Sequence, residues 1–286
     1  MLHRLLLSLQ NQETNNIFSF SIVVVDNDFN QSAKNVVLGF KTKTPIDVKY
    51  VNEPVQNIAL ARNMAVEAAQ GNPLAFIDDD EFPTPTWLLR LYEAYRNFNA
   101  DGVLGPVKPH FDEMPPSWIL RGKFCERQSH QTGTVLHWSQ ARTGNVLFDA
   151  SIFSVESNRF NSNFGRTGGE DIEFFKRMSA QGRVFVWCNE AEVFETVPPE
   201  RWRKSFFIRN SLRMGGLAGK RLRKEPFWLY RFLPKRIIMF LLYTCVLPFS
   251  FLFGEHVYMK CLTKFVYSVA WILGSCGLVI ISSRND

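Results

Sequence analysis

The stretch PLAFIDDDEFP, Pro73–Pro83, joins a short apolar run to four successive carboxylates. Leu74–Ile77 has the length and near-continuous apolarity of a strand covered on both faces. Asp78, Asp79, Asp80 and Glu81 repel one another, so a fold tolerates them only beside solvent or a cation. Taken alone, the run reads equally well as a solvated turn or an N-cap cluster ahead of the next helix. Coming directly off a buried strand, it reads better as a site for a hard divalent ion, which combines one or two carboxylates with substrate phosphates. In an extended segment Asp78 and Asp80 fall on one side and Asp79 on the other.

The same alternation runs through the first 200 residues. Ser21–Val25, Val48–Val51, Leu74–Ile77, Val103–Leu104, Asn145–Phe148 and Val184–Trp187 are predicted strands. Ile58–Gln70 follows the N-cap residue Asn57, Thr86–Phe98 follows Pro85, and Asp171–Ala180 carries Ile172, Phe175 and Met178 at helical spacing. This pattern predicts an α/β domain with a mostly parallel sheet and helices on both faces. Ligands of such sheets bind beyond the carboxyl ends of the strands. There SIVVV runs into Asp26-Asn27-Asp28, and LAFI runs into the acidic cluster. A second constellation, Gly168-Gly169-Glu170-Asp171, opens a helix. Its acids suit a helix N-terminus, and one of them is placed to act as a general base towards a hydroxyl.

Of the 286 residues, 46% are hydrophobic and 26 are Phe, which excludes disorder, collagen-like repeats and a disulfide-stapled miniature. Five widely spaced cysteines form no C-x-x-C, so neither a disulfide framework nor a zinc site is expected. The net charge of +6 hides a division: residues 1–200 carry 18 basic and 24 acidic side chains, and residues 201–236 carry 12 basic side chains against Glu225. Two uncharged runs follow, Ile237–Phe253 and Phe265–Ile281, each 17 residues long and at the lower limit for spanning a bilayer. The expected organisation is a catalytic domain over 1–200, a basic interfacial segment over 201–236 (Arg221, Arg223, Lys224, Arg231, Lys235 and Arg236 among it), and a hydrophobic helical pair over 237–286. Such a band faces anionic lipid on the cytoplasmic side rather than nucleic acid. Met1–Gln12 lacks a cleavage site and reads as an amphipathic helix.

VVVDND (Val23–Asp28), NIALARNMAVEAAQGNPLAFIDDDEFP (Asn57–Pro83), VLGPVKP (Val103–Pro109), TGNVLF (Thr143–Phe148) and GRTGGEDIEFFKRM (Gly165–Met178) together resemble the family 2 glycosyltransferases of the GT-A type. The chain is most similar to the bacterial exopolysaccharide transferases of the succinoglycan kind. The resemblance covers about Phe20 to Trp202. It implies a GT-A nucleotide-diphospho-sugar transferase fold, a Mn or Mg cofactor, and inverting transfer from a nucleotide-diphosphate sugar. The acceptor it implies is a lipid-linked saccharide at the cytoplasmic face of the bacterial inner membrane. By the same resemblance Asp26, Asn27 and Asp28 border the nucleotide, and Arg62 and Asn63 lie over it. Asp78 and Asp80 form the D-x-D metal pair with Asp79 between them, Asp171 is the catalytic base, and Glu170 positions the acceptor.

Three departures from the family pattern stand out. Members open with a strand before the helix with which this chain begins, so the expectation is a sheet lacking its first strand, through a misplaced start or a truncation. The usual metal-binding His is absent where Glu192–Glu195 stands, leaving Glu195 as a substitute. Pro198 stands at the Gln of the Q-x-x-R-W motif that would precede Arg201-Trp202, which argues against a processive synthase. A metal-dependent nucleotidyltransferase, or an inactive membrane-bound homologue, are the competing readings. Trp118 is the residue singled out for acceptor stacking, and Arg213-Met-Gly-Gly with Gly219-Lys-Arg for an interfacial surface.

Overall fold

In the four-stranded sheet that carries the acidic turn, neighbouring side chains alternate between two cores. A computed structural model describes residues 1–165, 168–223, 227, 230 and 232–281. Its contacts divide into one unit of Met1–His110 with Arg127–Thr196, and another of Phe111–Glu126 with Val197–Asp286. The first unit contains helices α1 (Leu2–Gln10), α2 (Lys34–Lys41), α3 (Ile58–Ala68), α4 (Trp87–Phe98) and α6 (Glu170–Ala180). Its strands are β1 (Ile22–Asp26), β2 (Val48–Asn52), β3 (Leu74–Ile77), β4 (Glu81–Pro83), β5 (Gly102–Leu104), β6 (Val107–His110), β7 (Asn145–Phe148), β8 (Phe185–Trp187) and β9 (Val193–Thr196).

The central sheet runs in the order β3-β7-β5-β8. Val103, Leu147 and Val186 face one core, shared with Trp87, Leu88 and Leu91 of α4 and with the leucines of α1. Leu104, Val146, Phe148 and Phe185 face the other, against Phe174, Phe175 and Met178 of α6. Helices therefore cover both faces, as the sequence pattern requires. Phenylalanines dominate the second face, where Phe148, Phe153, Phe160 and Phe174 pack ring on ring.

The expected mostly parallel sheet is corrected by the structure. Among the described residues β1–β2, β5–β8 and β6–β9 pair in parallel, while β3–β7, β5–β7 and β4–β9 are antiparallel. After β6 the chain makes a long excursion through residues 111–144 and re-enters as β7, reversed, between β3 and β5. A period-2 apolar pattern carries no information on strand direction, so the reversal is invisible to it. The strands lie in three ladders, with β1–β2 separate from the four-stranded ladder and β4-β9-β6 forming the third. Helix α1 is the expected amphipathic segment, burying Leu5, Leu6 and Leu9. Just beyond it Gln12 donates to Thr84 O at 2.8 Å and accepts from Leu88 N at 3.0 Å, fixing the start of α4.

The second unit contains α5 (Ser117–Gly122), α7 (Lys204–Leu222), α8 (Leu233–Ser250) and α9 (Glu255–Ser275). Trp118, expected as an acceptor platform, is instead 5% exposed and stacks edge-on to Phe124 and Phe207. The glycines of Arg213-Met-Gly-Gly and Gly219 are likewise buried rather than interfacial. A Cβ on Gly215 or Gly219 would overlap the α9 backbone at Tyr267 or Trp271, the close approach that small residues allow between helices. Helix α8 is nearly bare, with Ile238 63% and Phe249 64% exposed. Leu233–Phe253 is long and apolar enough to cross a membrane. The second apolar run does not form a helix of its own: α9 starts at Glu255, includes Lys260 and Lys264, and ends at Ser275. Lys224, Glu225 and Arg231 of the basic band, and Arg166 and Thr167 of the glycine-rich stretch, lie outside the described residues.

Candidate active site

Strand β3 ends at Ile77 and the chain turns at once, Glu81 N donating to Asp78 O at 3.1 Å. The turn is held from outside by Thr196 N, which donates to Asp80 O at 2.8 Å. Glu81 begins β4 and is only 2% exposed. Burial, reinforced by the neighbouring Asp78, pushes its carboxyl well above the usual range. Asp78 keeps 46% of its side chain exposed, but the surrounding protein mass raises its carboxyl too, with Asp171 and Asp79 adding repulsion. Asp79 is raised by desolvation and then by Asp80. Gly144, beside β7, makes room for this crowding, since a Cβ there would lie 2.8 Å from Glu81 Oε1 and 3.2 Å from Asp78 Oδ2.

The second constellation converges on the first. Gly168 and Gly169 adopt φ of 81° and 97°, a backbone that L side chains resist, and so bring the start of α6 towards β3. Arg62, buried on α3, donates to Glu170 Oε1 at 2.8 Å and stands 3.7 Å from Asp78 Oδ1. Its guanidinium also lies 5.7 Å from the Phe160 ring centre. Desolvation raises the Glu170 carboxyl, and the adjacent Asp171 raises it further against the pull of Arg62. Among the described residues Glu170 Oε2 is buried without a hydrogen-bond partner. One arginine thus ties the acidic turn to the Glu-Asp pair, with Asp171 half-buried beside both.

The residues expected around the nucleotide have their side chains largely committed to the fold. Asp26 accepts from Ala33 N and Tyr50 OH, each at 2.9 Å, and from Asp28 N at 3.2 Å. Asn27 donates to Glu53 O and Val55 O and accepts from Asn57 N. Asn63 donates to Phe160 O and accepts from Phe160 N, at 2.9 and 2.8 Å. Asp28 accepts from Asn30 N at 3.0 Å, and that bond lowers its carboxyl. Arg127 escapes the sequence reading. It pairs with Glu195 and approaches Glu81 Oε1 at 4.0 Å, but it lies in a stretch with no periodicity to mark it. Asn145 is a hidden support: it accepts from Trp87 Nε1 at 2.8 Å and donates to Pro106 O and Ala191 O.

A family described as glycosyl transferase family 2 matches residues 1–159. The chain belongs to glycosyl transferase family 2. Succinoglycan biosynthesis protein ExoM of Rhizobium meliloti is 36% identical over 207 residues, 71% of this chain and 65% of that protein. An Escherichia coli chondroitin synthase is 23% identical over 67% of this chain and 32% of its own. The chain thus spans just under two thirds of the first relative and a third of the second. S. aureus TarS 1–349, solved in complex with UDP, matches with a TM-score of 0.52 at 15% identity, covering 97% of this chain and 88% of that one. At that identity the likeness is one of fold.

Family 2 transferases commonly use a divalent metal. Among the described residues no three His, Cys, Asp or Glu side chains close into a metal cage. What the turn offers is a pair of hard oxygen donors, Asp78 and Asp80, on a partly exposed segment. Such hard oxygen donors would suit a Mg²⁺-like ion, with Asp78 and Asp80 as the residues that would hold it.

Proposed function

We propose that this chain is an inverting glycosyltransferase that moves a sugar from a nucleotide-diphosphate donor to a lipid-linked saccharide in exopolysaccharide synthesis. The observation that carries this is the ion-paired cluster in which Arg62 spans Asp78 and Glu170, with Asp171 alongside. Asp171 takes the proton from an acceptor hydroxyl. That oxygen attacks the anomeric carbon as the bond to the diphosphate breaks, which inverts the centre. Glu170 orients the acceptor, and Arg62 holds Glu170. Asp78 and Asp80 would hold Mn or Mg, which when bound supplies positive charge to the departing diphosphate. Asp28, with Asp79, borders the nucleotide, while Asp26, Asn27 and Asn63 shape the loops that receive it.

The bare apolar face of α8 and the basic residues before it support a site at the cytoplasmic face of a membrane. In this reading residues 1–200 carry the catalysis, 201–236 form the basic interfacial segment, and 237–286 the apolar part that meets the membrane.

A donor screen by nucleotide release tests the chemistry. Asp171→Asn is expected to lower transfer about a hundredfold or more while donor binding persists, and Asp80→Ala to abolish transfer and weaken metal-dependent donor binding. Full transfer by either variant overturns the mechanism.

A further inference from the structure

Helices α7, α8 and α9 line an open cavity of about 370 Å³ within the second unit. Ser211, Arg236, Tyr243, Thr263, Lys264 and Tyr267 are among its lining residues. Two of them are cations, and among the described residues neither lies within ion-pair distance of a carboxylate. Their contacts are with aromatic faces: Arg236 over Tyr267 at 5.1 Å and Trp271 at 5.7 Å, and Lys264 over Tyr243 at 5.8 Å. Two like charges beside one cavity repel, and an anion placed between them would remove that cost. The hydroxyls of Ser211, Tyr243 and Tyr267 make no hydrogen bond among the described residues and are free to donate.

The helix that supplies Arg236 also indicates where the anion comes from. Arg236, Met239 and Tyr243 recur at spacings of three and four and face the cavity. Ile238, Leu241, Leu242 and Phe249 fall on the opposite side of α8 and are exposed. The bare apolar stripe sets α8 in lipid on that side, which brings the cation-lined groove on its other side within reach of the headgroups of neighbouring lipids. Arg236 lies in the first turn of α8 next to exposed Lys235, at the polar end of the apolar segment.

We propose that this cavity seats the phosphate headgroup of an anionic membrane phospholipid. Arg236 and Lys264 neutralise the phosphate, and the tyrosine hydroxyls donate to its oxygens. The proposal rests on the membrane reading given above and goes beyond it, since membrane binding by α8 alone needs no headgroup preference.

Vesicle flotation of the full chain tests it, comparing phosphatidylcholine with phosphatidylcholine–phosphatidylglycerol mixtures. The wild type is expected to prefer the anionic vesicles. Arg236→Gln with Lys264→Gln is expected to reduce that preference about tenfold, and Lys235→Gln with Lys260→Gln, which removes equal charge outside the cavity, by about threefold at most. Circular dichroism confirms that both double variants fold, and Arg236→Lys is expected to retain most of the preference. Equal losses in the two double variants, or an undiminished preference in the first, overturn the proposal. Abolition of the preference by millimolar inorganic phosphate assigns the cavity to a soluble anion and also overturns it. Flotation with both vesicle types but no preference sinks the headgroup site alone. Flotation with neither sinks the membrane reading with it, and leaves the sugar-transfer assay untouched.

Discussion

Arg62 shows how a single residue governs the acidic cluster. Its guanidinium is the charged partner of Glu170, whose second oxygen is buried without a partner among the described residues. Arg62→Leu would leave that carboxylate uncompensated, at an expected cost of about 3–5 kcal/mol in urea unfolding. Adding Glu170→Gln to that variant is expected to recover part of the loss, because the orphaned charge is then gone. An additive double variant would show that the pair is not energetically linked. Cys188 supplies a pH-dependent counterpart away from the cluster. Burial, with Glu190 nearby, pushes its thiol up to about 11. A raised folded-state value means its contribution to stability is complete below about pH 9 and lost as pH rises through 11. Wild-type protein is therefore expected to lose stability over that window more steeply than Cys188→Ala, measured by thermal melts at each pH. At this scale residue type alone singles out Asp78, Glu170 and Asp171, and the structure brings the three together around Arg62. Asn27 and Asn63 were not legible, since an amide that clamps a backbone and an amide that greets a ligand look alike in sequence.

Among the elements, the strongly apolar strands were legible, while the short mixed ones and the long basic helix α7 were not. Leu74–Ile77 and Asn145–Phe148 form strands at the expected residues. The third ladder went unread: β4 contains Glu81 and Pro83, β6 contains Pro109, and β9 contains Glu195, residues that sheet propensity disfavours. Their pairing comes from position, with β9 hydrogen-bonded between β4 and β6, and that ladder is what anchors the acidic turn. Helix α2 was missed for a similar reason, since KNVVLGFK mixes β-branched residues with Gly39. Gly39 has nothing within 4 Å of where its Cβ would be, whereas a Cβ on Gly219 would overlap Trp271 O. Gly39→Ala is therefore expected to stabilise by roughly 0.5–1 kcal/mol. Gly219→Ala is expected to destabilise by about 1–3 kcal/mol as α7 and α9 are forced apart. Chemical denaturation of the two variants checks both signs, and a neutral result at Gly219 would mean the helices adjust freely.

Over the whole molecule, the net charge of +6 is the least informative number, because acidic and basic residues are segregated along the chain. The carboxylate-rich part folds around a turn in which burial and mutual repulsion raise the proton affinity of Asp78 and Glu81, an environment that favours any positive charge placed beside them. The basic part leads into α8, whose apolar side chains face outward rather than into a core. A soluble protein does not ordinarily leave such a stripe in water. Cys245 sits on it between Leu242 and Phe249 and is itself exposed, so it reports directly on what covers the face. With the protein bound to vesicles, a charged maleimide is expected to modify Cys245 about tenfold or more slowly than in the SDS-unfolded chain, because the reagent does not enter hydrocarbon. A cysteine introduced at exposed Gly39 on α2, remote in sequence from the apolar segment, should react at nearly the same rate in both conditions. If Cys245 also reacts at its unfolded rate, the stripe faces water in the bound protein, and the membrane would have to be engaged through the basic residues alone.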